Sequence, residues 1–281
     1  MTVSAVITTC GRGWNTVRRA LESVLRQSCP VSEILLVDDN PPGSEYTEEI
    51  RKGLAAFPAV RYLTRGRNCG VAEARNFALE NASGDWIAFL DDDDRWLPDK
   101  IEKQLAAAQA HPEAGLIYAL GTICDASGKD IGPVWQASVF KENPGFLDML
   151  ARDHVGSTSQ PLIRTETIRS LGGFHPLPAA EDYELWIRIA ERYELYGIPE
   201  FVYIKHMERG AHVSRNNGNY FHACCAIYAE WKQEYRRHAA ARKGICRNII
   251  RGGIKAGDPA VIPYCFIWAF ACMDVKTGKG G

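Results

Sequence analysis

The chain has 281 residues, 46% of them hydrophobic and 24% charged, and its formal net charge is −1. This composition is ample for a buried core, and the near-zero net charge creates no global field that would favour nucleic acid, so we expect no nucleic-acid partner. The nine cysteines form no CxxC pair, no signal peptide precedes the first strand pattern, and no apolar run approaches the roughly 20 residues of a membrane span. The sequence therefore predicts a cytoplasmic protein.

The N-terminal part of the chain alternates short apolar strands with amphipathic helices. Strands are predicted at 3–8, 33–37 and 60–63, and helices at about 15–27, around Ile50 and Leu54, and at 71–81. This alternation is typical of right-handed βαβ units. It predicts an α/β protein whose mostly parallel, Rossmann-like sheet carries helices on both faces. Ligands of such sheets bind beyond the carboxyl ends of the strands.

The stretch around which the chain is organised is 84–104, which reads GDWIAFLDDDDRWLPDKIEKQ. An apolar strand at 86–90 ends in four consecutive carboxylates, 91–94, and a helical pattern opens near Asp99. Adjacent like charges repel one another and would regain protons unless a cation shared the site. Hard oxygen ligands suit Mg²⁺ or Mn²⁺. The strand before the carboxylates and the Trp-x-Pro-x-Lys stretch after them favour a metal site over a solvated acidic turn.

Beyond residue 104 the pattern is less regular. The predicted elements are a strand at 115–120, a turn at 125–128 that opens an antiparallel ribbon, a strand at 157–163, a short helix at 165–171 and a last strand at 201–204. Glu181 and Asp182 stand where a proline-rich loop meets a helix. Acidic residues commonly cap helix N-termini, so this position alone assigns them no chemistry.

From about Tyr220 the sequence becomes helical and then basic. Glu234 is the one acid between 232 and 255, against eight Lys or Arg at 232, 236, 237, 242, 243, 247, 251 and 255, and 260–273 is uncharged and rich in aromatic residues. One interpretation is a helical pair that packs its aromatic side chains on the main domain and leaves a solvated basic face. The other is a membrane-surface element, with basic residues at anionic headgroups and aromatic residues at the interface.

Six motifs occur in order between residues 3 and 210: VSAVITTCGR, EILLVDDN, NCGVAEARNFAL, WIAFLDDDDRWLPDKIEKQ, LGGF and AEDYELWIR. In these motifs the chain resembles the inverting nucleotide-sugar glycosyltransferases of family 2, which have the fold called GT-A. The segment 40–43, Asn-Pro-Pro-Gly, departs from the Gly-Ser-Thr type of turn usual in that family. The resemblance implies a GT-A domain at 1–215, with a nucleotide-binding half at about 1–110 and an acceptor half at about 111–215. The helical extension is then 216–281.

The resemblance also implies a donor site. Thr9 and Asp39 correspond to base-contacting residues, and a carboxylate there would accept a hydrogen bond from the N3–H of uracil or thymine, which cytosine lacks. This favours a UDP- or dTDP-sugar and leaves GDP open. For Asp39 the alternative is a turn residue that bonds its own backbone. The other implied donor-site residues are Arg12, Asn68, Arg75, Asp91 and Asp92, and the implied metal ligands are Asp93 and Asp91.

Arg75 has an alternative as a helix-surface ion pair, and lone histidines such as His206 and His212, which could approach the diphosphate or metal, are more often structural. The resemblance makes Asp182 the general base, with Glu181 as second choice.

The expected reaction is metal-dependent, inverting transfer from the nucleotide sugar to a hydroxyl of a glycan or lipid-linked acceptor in cell-envelope polysaccharide synthesis. The C-terminal extension would contact the inner face of the membrane peripherally. The alternatives are a sugar nucleotidyltransferase and a non-catalytic nucleotide-sugar or metal-binding module. A nucleotidyltransferase would call for a lysine in a Gly-rich loop after the first strand, where this chain has CGRGW.

Overall fold

A computed structural model describes residues 1–125, 127–207 and 216–277. Within them a nine-stranded sheet lies between two layers of helices. The strands are β1 (Val3–Thr9), β2 (Glu33–Asp38), β3 (Val60–Thr64), β4 (Trp86–Asp91), β5 (Arg95–Trp96), β6 (Ala114–Cys124), β7 (Asp130–Pro133), β8 (Leu162–Arg164) and β9 (Glu194–His206).

Helices follow most of the strands, and four more helices close the described chain. They are α1 (Trp14–Leu25), α2 (Glu45–Leu54), α3 (Val71–Asn81), α4 (Lys100–Ala110), α5 (Phe146–Ala151), α6 (Thr165–Ser170), α7 (Glu181–Arg192), α8 (Asn217–Glu230), α9 (Lys232–Arg237), α10 (Ala239–Ala256) and α11 (Ile262–Thr277). Short 3-10 turns lie at Trp135–Val139 and Pro259–Val261.

The strands lie in the order β3-β2-β1-β4-β8-β6-β9-β5, with β7 paired to β6. Strands β1 to β4, β6 and β9 run in one direction, and β5, β7 and β8 run in the other. The predicted α/β class with a mostly parallel sheet is thus confirmed. Successive βαβ units explain the first four strands, because each helix returns the chain to the same end of the sheet.

Both faces of the sheet are covered, which explains why its strands are uniformly apolar. Side chains alternate between the faces along each strand. On one face Val6 and Phe89 share a buried cluster with α3, α5 and α7. On the other face Ile7 and Leu90 share a second cluster with α1, α2 and α4. The polar residues at the ends of the parallel strands therefore emerge at one edge of a sheet whose two faces are covered by helices.

Two elements differ from their predictions. The strand predicted at 157–163 is reduced to β8, because residues 157–160 form a turn. Side chains of this turn bond to carboxylates of the four at 91–94, which we call the acidic stretch. The last strand is much longer than 201–204. The consecutive β6 residues Ala119 and Leu120 pair with Ile198 and Phe201 of this strand, so a bulge accommodates Pro199, which has no N–H to donate to the ladder.

The C-terminal helices are packed onto the same core as α5 and α7. Phe221, Tyr235 and Ile249 are buried in the cluster that also contains Trp186. Along α11, by contrast, apolar side chains are exposed, with Phe266 63% and Phe270 61% accessible. Among the described residues we find no helix that combines the length and apolarity needed to cross a membrane.

Candidate functional site

The acidic stretch leaves the sheet at the end of β4 and is held by the turn that we call the Ser157–Gln160 segment. Ser157 Oγ and Thr158 Oγ1 donate to Asp91 Oδ2 and Oδ1 at 3.5 and 3.2 Å. Ser159 Oγ donates to Asp94 Oδ2 at 2.8 Å and accepts the Asp91 N–H at 3.2 Å. Hydroxyl groups of this one segment thus orient two carboxylates of the stretch.

Crowding of these carboxylates changes their protonation. Burial raises the pKa of Asp92 to about 7; the Thr9 hydroxyl opposes this rise and the neighbouring Asp93 reinforces it. Burial also raises the pKa of Asp94 to about 8, against the attraction of Lys205. A group of carboxylates that resists losing its protons is an environment that a cation would stabilise.

Arg12 and Lys205 are two of the positive side chains that face the stretch. Arg12 Nη2 lies 3.4 Å from Asp93 Oδ2, and its Nε lies 3.9 Å from Asp92 Oδ1. Lys205, near the end of β9, is the second. Burial would lower the pKa of Lys205, yet the negative charges of Asp94, then Asp91 and Asp93, raise it.

Arg75 links the acidic stretch to α7. Its guanidinium is buried, with Nη2 2.8 Å from Asp91 Oδ1 and Nη1 2.6 Å from Glu181 Oε1, and it lies over the ring of Phe174 at 5.3 Å. Burial favours the neutral form, but Asp91 and Glu181 outweigh it and raise the pKa of Arg75. Burial also opposes ionisation of Asp91, while Arg75 and Lys205 hold the pKa of that carboxyl below its usual value.

Asp182 stands in the first turn of α7, next to the Arg75 partner Glu181. Ala180, just before the helix, has φ of 53°, a left-handed conformation that costs a residue with a Cβ and often occurs at functional sites. The Tyr183 N–H donates to Asp182 Oδ1 at 2.7 Å. Burial, then the charges of Glu181 and Asp153, raise the pKa of Asp182 to about 8.

The ends of β1 and β2 form the region expected to bind the base. Asp39 is buried, and its two carboxylate oxygens accept the N–H groups of Cys69 at 2.8 Å and Gly70 at 2.9 Å. Asn68 Nδ2 donates to the Asp39 carbonyl oxygen at 3.0 Å. Burial raises the pKa of Asp39, against those two backbone bonds. Thr9 is buried beside it, since its carbonyl oxygen accepts the Asp39 N–H at 2.9 Å.

Of the two histidines, His206 lies in the described part of the chain. His206 is buried, its Nδ1 lies 3.0 Å from Cys124 Sγ, and its backbone N–H donates to Asp94 Oδ1 at 3.3 Å. Its ring therefore faces a thiol of β6. His212 lies outside the described residues.

The residues present fit a hard divalent cation. Carboxylate oxygens are the ligands that Mg²⁺ and Mn²⁺ prefer. The Asp93 side chain is 16% exposed, and Asp91 Oδ2 has only the 3.5 Å contact to Ser157 among its described hydrogen bonds. Asp93 and Asp91 would be the residues to hold the ion.

Residues 4–159 match the model of the family described as glycosyl transferase family 2. The chain belongs to this family. As a member of glycosyltransferase family 2 it is an enzyme of that class, and the alternatives of a sugar nucleotidyltransferase and a non-catalytic module are set aside.

Curated relatives of this family 2 glycosyltransferase span most of its length. It is 25% identical over 253 residues to an uncharacterized glycosyltransferase of Methanocaldococcus jannaschii, covering 88% of this chain and 82% of the relative. It is 26% identical over 237 residues to the putative colanic acid biosynthesis glycosyl transferase WcaA of Escherichia coli, covering 80% of each.

Solved structures of similar fold include TarS 1-349 of S. aureus in complex with UDP-GlcNAc, with a TM-score of 0.67, 18% identity, and 96% of this chain and 79% of that chain covered. The mannosyltransferase PcManGT of Pyrobaculum calidifontis, in complex with GDP-Man and Mn²⁺, gives a TM-score of 0.63 and 16% identity, with 97% and 80% covered. These likenesses confirm the expected GT-A type of fold with a C-terminal helical region.

The structure brings Arg12 and Arg75, which the resemblance assigns to the donor site, against the acidic stretch, and two features of this region were not predicted. Lys205 is not among the predicted site residues, although a lysine near the end of an apolar strand repeats the pattern of charge at the end of β4. The sequence predicts a strand over the Ser157–Gln160 segment, although its run of hydroxyl side chains favours turns over the interior of a sheet.

Proposed function

We propose that this glycosyltransferase moves a sugar from a UDP- or dTDP-sugar to a hydroxyl of a glycan or lipid-linked acceptor, with inversion and with bound Mn²⁺ or Mg²⁺, in the synthesis of a cell-envelope polysaccharide. The observation that carries the proposal is the buried Arg75, which ties Asp91 of the donor side to Glu181 beside Asp182. The name of the Escherichia coli relative supports the polysaccharide, and the UDP-GlcNAc complex of TarS supports the donor. The GDP-Man complex of the mannosyltransferase keeps a GDP-sugar as the second candidate.

On the donor side we assign the base to Thr9 and Asp39, the loop beside it to Asn68, and the ribose and sugar to Asp91 and Asp92. Arg12 and Lys205 lie against the same carboxylates and would attract the diphosphate. When bound at Asp93 and Asp91, the metal would neutralise charge on the departing diphosphate.

On the acceptor side Asp182 is the general base. The acceptor hydroxyl gives its proton to the Asp182 carboxylate as its oxygen attacks the anomeric carbon from the face opposite the diphosphate. The bond between that carbon and the diphosphate oxygen breaks, and the nucleoside diphosphate leaves with the electron pair. Glu181 is the second choice, because its Oε1 is already bound to Arg75 at 2.6 Å.

Replacement of Asp182 by Asn tests the proposal. An amide oxygen can still accept the Tyr183 N–H, so the start of α7 should be preserved, whereas an amide cannot take a proton from the acceptor. We expect unchanged affinity for the donor and a loss of turnover of about 10²–10⁴-fold, which is the usual contribution of a general base.

Replacement of Glu184 by Gln is a control for loss of a carboxylate from the same helix. Glu184 is buried and paired with Arg188, so this variant reports loss of stability without loss of the base. Near-normal turnover in the Asp182→Asn enzyme would contradict the assignment.

The acceptor and the place of reaction complete the proposal. We assign the acceptor to the half at about 111–215 and the approach to a lipid-linked acceptor to the extension at 216–281, at the inner face of the membrane. The exposed Phe266 and Phe270 of α11 and the basic residues of α10 support this assignment.

A further inference from the structure

Lys100, the lysine of the Trp-x-Pro-x-Lys stretch, is completely buried. Its Nζ donates to the Gln160 carbonyl oxygen at 2.8 Å and to Gln104 Oε1, and it lies over the ring of Trp96 at 5.0 Å. In the described part of the chain no carboxylate pairs with Lys100, and burial alone lowers its pKa far below the usual value. Burying the Lys100 amino group costs free energy, so its two hydrogen bonds require a structural or functional reason.

Gln104, one helical turn after Lys100, has the same target. Its Nε2 donates to the Gln160 carbonyl oxygen at 2.8 Å and to the Ile117 carbonyl oxygen of β6 at 3.1 Å. The Gln160 side chain donates to the Ala119 carbonyl oxygen at 2.8 Å and accepts the Ser157 N–H at 3.0 Å. Buried bonds from α4 and β6 thus hold the segment at Gln160, and the Gln160 side chain in turn holds the Ser157 N–H.

The opposite side of that segment carries the hydroxyl groups of Ser157, Thr158 and Ser159, which bond to Asp91 and Asp94. The Ser157–Gln160 segment therefore connects the Lys100 amino group on one side to two carboxylates on the other, Asp91, which is assigned to the donor and the metal, and its neighbour Asp94. Groups that orient the ligands of a metal typically change its affinity by about 10–100-fold when they are removed.

We propose that Lys100 and Gln104 are positioning residues that hold the Ser157–Gln160 segment and thereby set the orientation of Asp91 and Asp94 for the cation and the nucleoside diphosphate. This inference rests on the proposed function. It gives the Trp-x-Pro-x-Lys stretch a role at the site although none of its side chains belongs to the acidic stretch.

The test is Lys100→Met, which keeps the volume and removes the donor, with Mn²⁺ affinity measured by calorimetry in the presence of UDP. We expect Mn²⁺ to bind about 10–100-fold more weakly. The free energy of unfolding in urea should stay close to that of the unaltered chain, because loss of two hydrogen bonds is offset by relief of the cost of burying an ammonium group.

Lys103→Met is the matched control, since Lys103 lies on the same helix but pairs with Asp99 and Glu200 at the surface. It should leave Mn²⁺ affinity unchanged. Gln104→Leu is the second variant and should weaken Mn²⁺ in the same direction. In a double-mutant cycle, Lys100→Met and Ser159→Ala should be non-additive in Mn²⁺ affinity, because both act through one segment.

Wild-type Mn²⁺ affinity in Lys100→Met would overturn the inference while leaving the proposed function intact. Failure of Lys100→Met and Gln104→Leu to fold would also overturn it, because the pair would then serve the fold and not the site. Absence of Mn²⁺ and UDP binding in the unaltered chain would instead contradict the proposed function.

Discussion

Arg75 is the residue on which the proposed site depends most. It is buried between Asp91 and Glu181, so it is not a helix-surface ion pair, and its contact with the donor stays a prediction. Removing one partner of a buried ion pair leaves an uncompensated charge and is strongly destabilising. Variants of Arg75 therefore cannot separate catalysis from folding, and sharper tests concern Asp182 and Asp39.

The pH dependence of the reaction should report Asp182. Burial, with Glu181 and Asp153, raises the pKa of this carboxyl to about 8. A general base works only when deprotonated, so kcat/KM should rise as the pH is raised from 6 through about 8. The measurement is a pH profile at saturating metal. The same profile for Asp182→Asn should lose this rise, and a rise that persists would assign it to another group.

At Asp39 the expected change is in discrimination between bases. Replacing Asp39 by Asn removes the charge that would accept the N3–H of uracil, so UDP affinity should fall by about 1.5–3 kcal/mol. Binding of CDP, whose base lacks that N–H, should change less. Asp39 also accepts the Cys69 and Gly70 N–H groups, so an equal loss for UDP and CDP would mean that it acts only by holding that loop.

At the scale of secondary-structure elements, Gly244 of α10 lies directly against the end of α5. A Cβ at Gly244 would lie 2.0 Å from the carbonyl oxygen of Ala151, which is backbone and cannot move aside as a side chain can. Two helices approach this closely only where a side chain is absent, so close packing against α5 explains the glycine at position 244 of α10.

Gly244→Ala should therefore destabilise the chain by about 1–3 kcal/mol, the usual effect of overpacking, despite the better helix propensity of alanine. Urea unfolding measures this. Gly218→Ala in α8 is the control, because its Cβ would meet only the Asn216 side chain at 3.3 Å, and its stability should stay the same or rise slightly. Equal stabilities of the two variants would contradict the close approach of α10 and α5.

At the scale of the whole molecule, the C-terminal helices bury some of their aromatic side chains and expose others, and contact with a membrane surface stays a prediction. Some aromatic side chains pack inward, since Tyr264 contacts the core cluster that contains Val6 and Phe89. The rest stays outside, on α11, while Arg247, Arg251 and Lys255 lie on the exposed side of α10 one turn apart.

This arrangement leads us to expect binding to anionic vesicles. Replacing Arg247, Arg251 and Lys255 by Gln should weaken binding to phosphatidylglycerol vesicles by about 1 kcal/mol per charge, with little change on phosphatidylcholine. Sedimentation of the full chain at several salt concentrations measures this. The control is Gln at Arg18, in α1, and at Arg26, directly after that helix; both arginines are exposed. Equal sedimentation with both kinds of vesicle would contradict membrane contact.

The sequence by itself determined the first half of the molecule. Local apolar runs and helical periodicity placed β1 to β4, α1 and α3 nearly at their observed bounds and marked the positions of α2 and α4, because in βαβ units neighbours in sequence are neighbours in space. The charged strand ends at Asp39 and Asp91 were predictable for the same reason, since parallel strands end at one edge.

Only the tertiary structure decided the rest. Lys205 reaches the acidic stretch because β9 pairs with β5 and β6, Arg75 meets Glu181 because the start of α7 lies beside α3, and Lys100 is bonded to a turn, not a strand, at 157–160. These are contacts between residues far apart in the chain. Local periodicity carries no information about them, since it fixes which face of an element is apolar but not which distant element covers it.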